Sequence, residues 1–321
     1  MSCKNIPLNT SCTRRDKLLA SPLKINVLCV TQVGSCWHDY LRLMRLNRPV
    51  GSLLLLWPTL AALWMAAEGL PPISLIAIFT LGTFLMRSAG CVINDYADRE
   101  VDGLVRRTRD RPLATGAIQP RAALILFAVL SLSAGILVLL LNRETQLLAV
   151  AGFAVAALYP FMKRWTYLPQ TVLGAAFSWG ILMAWTATER GLNSDAWLMF
   201  IASLLWIVAY DTIYAMVDRE DDLKAGIKST AILFGNLDRF MIGVLQLSAL
   251  ATLFLLGQKL DYRHAYYIGL LGCAGLFIYQ QYLIRTRAPD ACLAAFANNI
   301  QVGLLLFCGT VAELTIASYL A

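Results

Sequence analysis

Asn94, Asp98 and Asp102 stand four residues apart in Asn94-Asp-Tyr-Ala-Asp-Arg-Glu-Val-Asp102. On a helix that spacing stacks three oxygen donors on one face. The segment follows an apolar run, Ile73 to Met86, too greasy for a soluble surface. A row of carboxylates growing from a membrane helix is costly unless something cationic sits there. A second copy comes later: Tyr214, Asp218 and Asp222 repeat the spacing, with Asp211 one turn before Tyr214. Asp98 and Asp218 are each followed by an arginine, Arg99 and Arg219. Two such ridges, face to face, would hold hard divalent cations. Mg2+ is the natural candidate, because it takes a few carboxylates together with the phosphate oxygens of a substrate. The candidate metal ligands are therefore Asn94, Asp98, Asp102, Asp211, Asp218 and Asp222.

Cations surround the ridges. Arg99, Arg106, Arg107, Arg109 and Arg111 follow the first, Lys224 and Lys228 follow the second, and Lys163 and Arg164 lie between them. Membrane topology alone predicts cations in cytoplasmic loops. Beside metal-bearing acids, however, they make a clamp on a leaving diphosphate. Arg87 lies on roughly the same helix face as Asn94 and Asp98, but inside the membrane. An ionisable side chain there is a functional candidate, with structural pairing to a nearby acid as the rival account. Arg45 and Arg48 precede the first span, where snorkelling to headgroups explains them as well as substrate contact does. Most of the aromatics suit an interfacial belt or packing. Tyr214 stands on the second ridge, where its ring face would cover a carbocation.

The elements that must carry these groups are membrane helices. Of 321 residues, 58% are hydrophobic and only 15% charged, and the mean hydropathy is +0.62. That composition belongs to a polytopic membrane protein. The net charge of +7 reports cytoplasmic loops and anionic headgroups, not nucleic acid. The eight cysteines show no metal-ligand spacing and read as small hydrophobes in a reducing compartment. The two histidines, His38 and His264, have no ligand set or triad around them.

Apolar stretches long enough to cross a bilayer fall near 51–67, 73–96, 121–141, 145–162, 169–187, 196–217, 231–256 (with a later start as the alternative), 264–284 and 292–318. All nine must be helical, because lipid offers an open chain no other way to satisfy its backbone. Residues 1–38 form a basic, polar extension without a secretory signal, disordered or lying on the surface, and 39–321 form the transmembrane domain. The motif loops fall at about 94–120 and 211–231. Nine crossings with a cytoplasmic N-terminus leave only Arg143, Arg190, Lys259 and Arg263 on the far side, and Arg87 lies within a span. The remaining 22 of the 27 Lys and Arg are then cytoplasmic. That asymmetry sets the orientation, and it puts both acidic ridges on the cytoplasmic side.

The motif from Asn94 to Asp102, continued by Arg107-Thr-Arg-Asp-Arg-Pro-Leu113, resembles the first aspartate motif of the UbiA superfamily of membrane prenyltransferases. Asp211-Thr-Ile-Tyr-Ala-Met-Val-Asp-Arg-Glu-Asp-Asp222, followed by Gly226-Ile-Lys-Ser-Thr-Ala231, resembles the second. Arg45-Leu-Asn-Arg-Pro-Val-Gly51, Leu56-Trp-Pro-Thr59, Tyr159-Pro-Phe-Met-Lys-Arg164 and Tyr210-Asp-Thr-Ile-Tyr-Ala215 are similar to its 4-hydroxybenzoate branch. The resemblance runs from about Tyr40 to the C-terminus. It implies nine helices around a central cavity that opens sideways to lipid under two motif loops. It also implies Mg2+, with polyprenyl diphosphate and 4-hydroxybenzoate as substrates, in a bacterial inner membrane or, alternatively, a mitochondrial one. Asp98, Asp218, Asp211 and Tyr214 become the candidates for catalysis. Arg99, Lys163, Arg164, Arg111 and Lys228 would hold the diphosphate, and Arg45 the aromatic carboxylate. Haem, homogentisate or a naphthoate are other acceptors in the superfamily. A cation-coupled transporter is the rival from outside it, although a carrier would place its acids at mid-helix breaks.

Overall fold

The structure, a computed structural model, describes residues 37–320. Apart from its last two positions, the expected N-terminal extension lies outside them. Among the described residues nine helices have 18 or more residues. They are α1 (Val50–Ala67), α2 (Ile73–Asp98), α3 (Pro120–Val138), α4 (Arg143–Trp165), α5 (Pro169–Ala187), α6 (Ser194–Ala225), α7 (Asp238–Lys259), α8 (His264–Leu283) and α9 (Pro289–Leu320). Eight are long and apolar enough to cross a membrane, and α5 is not among them. More than half of α5 is buried in the bundle, so it needs no greasy outer face. The chain is an all-α integral membrane protein.

Local chemistry sets the helix ends. Proline opens α3 and α5, where its missing N–H costs nothing. The Asn142 side chain caps α4 by accepting from Thr145 N, and Asn193 caps α6 by accepting from Asp195 N and Ala196 N. Gly226, at φ 69°, ends α6 in the left-handed conformation that only glycine adopts freely.

Consecutive helices pack on one another except α3 and α4, and α9 returns to α1 and α6 to close the bundle. Of the most apolar stretch of α6, 67% is buried, against 11% for α3. The helix carrying the second ridge is thus an inner post, while α3 is a lipid-facing wall. Although consecutive, α3 and α4 barely touch, which leaves the bundle hollow beside α2.

Two expectations need correction, and one alternative is decided. The first ridge is not one helix, because α2 stops at Asp98 and Asp102 begins a separate 3-10 turn, Asp102–Leu104. Local bonds take over there: Val101 N donates to Asp98 O at 2.8 Å, and Thr108 Oγ1 to Asp102 O at 2.8 Å. The sixth helix runs eight residues past its expected end at 217, to Ala225, carrying the whole second ridge. Of the two readings of the span 231–256, the later start is the one found. A short helix, Thr230–Phe234, turns through Gly235 at φ 56° before α7 starts at Asp238.

Candidate active site

At one end of the bundle α2, α4 and α6 bring the two ridges to a pocket of about 160 Å³. Asn94, Asp98, Asp102, Asp211, Asp218 and Asp222 all line it, and so does Tyr214. Asp98 and Asp102 are buried, so their charge must be met by partners. It is met across the fold. Lys163 of α4 ion-pairs with Asp98, and Arg107 of the α2–α3 loop with Asp218. Arg111 Nη1 donates to Asp102 at 2.9–3.0 Å. The Arg107 guanidinium also donates to the Tyr214 hydroxyl and lies 4.6 Å from the centre of its ring. Burial pushes the Asp102 carboxyl up to about 6, and the nearby Asp95 and Asp98 charges push the same way against Arg111. Asp98, Asp102 and Asp218 are each turned toward a cation, and among the described residues no three acids converge on one point.

Of the cations expected to hold a diphosphate, Lys163, Arg111 and Lys228 line the pocket. Lys228 Nζ is spent on the Trp165 carbonyl at 3.2 Å. Arg99 and Arg164 stand outside the lining, because both satisfy carbonyls at the end of α2. Arg99 donates to Tyr96 O at 2.8 Å and pairs with Glu100, and Arg164 donates to Ala97 O at 2.9 Å. The second loop is pinned by Gln170 of α5, whose side-chain oxygen accepts from Thr230 N at 3.0 Å, and by the Thr212–Thr230 hydroxyl contact at 2.7 Å.

Beside the pocket lies a much larger cavity of about 1370 Å³, lined by α1, α2, α3, α4 and α5 and by residues of α6 and α9. Asn94, Arg107, Arg111, Tyr159, Asp211 and Tyr214 line both. Arg45 lines the larger space with a left-handed backbone, φ 59°, and its Nη2 donates to both Asp95 oxygens at 2.9–3.0 Å. Arg87 lines it too. Its guanidinium lies 5.4 Å from the Phe177 ring centre, and its Nε has no partner among the described residues. Room for it comes from Gly51, where a Cβ would sit 2.5 Å from the guanidinium.

Sequence reading missed Asp95, which is buried and pairs with both Arg45 and Arg111 at 2.9–3.0 Å. The only signal was an acid beside Asn94 on a membrane helix. Arg107 was read as one cation among five, and its reach to the second ridge is visible only in the fold.

All the ridge donors are oxygens, and no cysteine or histidine lines the pocket. That set suits a hard divalent cation. The arrangement can therefore hold a polyanion at a charged mouth and an apolar chain behind it.

The profile of the UbiA prenyltransferase family matches residues 55–306. A 4-hydroxybenzoate octaprenyltransferase of Tolumonas auensis is 57% identical over 273 residues, which is 85% of this chain and 96% of that protein. The enzyme of the same name from Escherichia fergusonii is 56% identical over 84% of this chain and 92% of its own length. Among solved structures, the apo form of a UbiA homolog from Aeropyrum pernix K1 superposes with a TM-score of 0.73 at 23% identity, covering 81% of this chain and 97% of that one. A UbiA homolog from Archaeoglobus fulgidus bound to GPP and Mg2+ gives 0.63 at 19% identity, covering 85% and 99%. At such identities these two structures speak for the fold.

Proposed function

The chain belongs to the UbiA prenyltransferase family, and on that premise we propose that it is a 4-hydroxybenzoate polyprenyltransferase of ubiquinone biosynthesis. It transfers the polyprenyl group of a polyprenyl diphosphate to the ring carbon ortho to the hydroxyl of 4-hydroxybenzoate and releases diphosphate. The observation that carries the reading is a cation- and acid-lined pocket that shares six lining residues with a large, mainly apolar cavity. The names of relatives at 56–57% identity support the acceptor.

Asn94, Asp98, Asp102, Asp211, Asp218 and Asp222 would hold Mg2+, which when bound neutralises charge on the leaving diphosphate. Lys163, Arg107 and Arg111 stand among these acids and donate to diphosphate oxygens as negative charge builds there. The allylic C–O bond breaks, and its electron pair leaves with the diphosphate. Tyr214, which lines the same pocket, would stabilise the cation with its ring. The ring carbon of the acceptor then forms the new C–C bond. A motif aspartate or the departing diphosphate takes the ring proton, and aromaticity returns.

The acceptor carboxylate meets the arginines of the larger cavity. Arg45 is one, oriented by Asp95, and Arg87, with its unpartnered Nε, is the second. Nine crossings, a cytoplasmic site and the bacterial inner membrane complete the reading, supported by the cation asymmetry and by bacterial relatives.

The test gives membranes containing the chain a polyprenyl diphosphate with Mg2+ and, separately, 4-hydroxybenzoate, homogentisate, a naphthoate or haem. Lipid-extractable product from 4-hydroxybenzoate above the others is expected. Preference for another acceptor would move the chain within its family, and cation-coupled uptake without product would make it a carrier.

A further inference from the structure

Asp98 and Asp218 are each followed by an arginine, but the two arginines have different partners. Arg99 binds the end of its own helix, whereas Arg219 reaches Asp238, the first residue of α7. The Asp238 side chain is wholly buried, so its charge must be met by partners. Arg219 Nη1 donates to its Oδ2 at 3.2 Å. Arg287, in the turn between α8 and α9, grips the same carboxylate as a fork. Its Nε donates to both oxygens at 2.9–3.1 Å and its Nη2 to Oδ1 at 2.6 Å. The backbone N–H of Arg239 adds a further donor at 2.7 Å.

Arg219, Asp238 and Arg287 line neither the pocket nor the larger cavity. They hold the far side of the second motif loop. Arg287 Nη2 also donates to Asn236 O at 3.0 Å, so it fixes the loop backbone as well. Arg287 itself stands at φ 56°, uncommon for any residue but glycine, and the charge-assisted fork offsets that cost. At the loop's near side, Lys228 N donates to the carbonyl of Lys163, whose side chain pairs with Asp98. The loop is thus tied to the first ridge at one end and to the α8–α9 turn at the other.

We propose that Asp238 is a positioning residue, which through Arg219 and Arg287 holds the second ridge and its loop in register with the first. The inference rests on the metal-held diphosphate of the reading above. A buried carboxylate shared by two guanidiniums is a stiff, directional joint. Because Asp218, Arg219 and Asp222 ride on one helix end, fixing Arg219 fixes both acids.

The test uses the full chain in detergent and follows hydrogen exchange of the 226–237 amides by mass spectrometry. Without metal, exchange there should rise at least about fivefold in Asp238→Asn and in Arg287→Gln. Mg2+ with inorganic diphosphate should slow that exchange in wild type, and the variants should need roughly tenfold more Mg2+ for the same effect. In transfer assays the acceptor KM should stay within about twofold. Arg287→Lys, which keeps the charge without the fork, should fall in between. Asp238→Asn combined with Arg287→Gln should be no worse than Asp238→Asn alone, since both act through one carboxylate. Should Asp238→Asn fail to fold, Arg287→Gln and Arg219→Gln carry the same prediction from partly exposed positions. Faster exchange with an unchanged Mg2+ requirement would make the cluster a structural pin and overturn the proposal. Additive effects in the double variant would overturn it too. Wild type that shows no Mg2+-diphosphate protection would overturn both the proposal and the metal site beneath it. Protection without prenyl transfer would overturn the activity and leave the positioning role supported.

Discussion

Asp98, Asp102 and Asp218 each hold a cation drawn from another part of the chain, so the site is a lattice of charges rather than a bare acidic cup. Asp102 shows what this means for pH. Its carboxyl is raised to about 6 by burial, against about 3.9 for a free aspartate. Below pH 6 it carries a proton that a metal must displace. The Mg2+ concentration for half-maximal activity is therefore expected to rise as pH falls from 7 to 5, and Asp102→Asn should flatten that dependence. A group with a raised folded-state pKa contributes stability that is full below about 3.9 and lost as pH rises through 6. As far as Asp102 is concerned, acid should weaken metal use without loosening the fold, which unfolding scans at pH 5 and 7 would check. The two cavity arginines separate by kinetics. Arg45→Ala and Arg87→Met are each expected to raise the acceptor KM roughly tenfold or more with a smaller change in the donor KM. A change confined to kcat would remove them from the acceptor site. That the oxygen donors of both ridges would gather at one place was legible from type and spacing, and all six line one pocket. Asp95 was not, because its partners lie elsewhere in the chain, Arg45 by 50 residues.

Helices α2 and α6 show where periodicity stops informing. Both were expected to carry a ridge at four-residue spacing, yet only α6 stays helical to its last acid. The first ridge breaks because Arg111 and Thr108 bind Asp102 and its carbonyl, a competition among loop bonds that no hydrophobic pattern records. Each apolar stretch has a long helix near its expected place, the seventh beginning only at Asp238, since lipid permits little else. The capping break at Gly235 was hidden by a continuous apolar run. Close helix contact was equally hidden. Where α8 meets α9, a Cβ on Gly269 would lie 2.9 Å from Leu305 O and 3.2 Å from Gly309 Cα. Backbone meets backbone there, as small residues allow in membrane bundles. Gly269→Val is expected to destabilise by about 1–3 kcal/mol, read as a lower unfolding temperature in detergent. An unchanged midpoint would mean that the two helices part freely.

The whole molecule places both ridges and the cations around one pocket at one end of a helical bundle, with a lipid-facing wall in α3. The nine crossings proposed above put that end in the cytoplasm. In intact cells a cysteine at Arg143 or Lys259 should react with an impermeant thiol reagent, and one at Arg106 or Lys224 should not. Labelling of all four from outside would break the topology. The central claim is that both ridges act together on a metal-held diphosphate. Its most direct test measures the transfer of radiolabelled 4-hydroxybenzoate into a lipid extract by membranes supplied with polyprenyl diphosphate. Wild type, Asp98→Ala and Asp218→Ala are compared with and without Mg2+. Product that requires Mg2+ and falls at least about a hundredfold in each variant is the expected result. Product that persists in either variant, or without the metal, would contradict the two-ridge site.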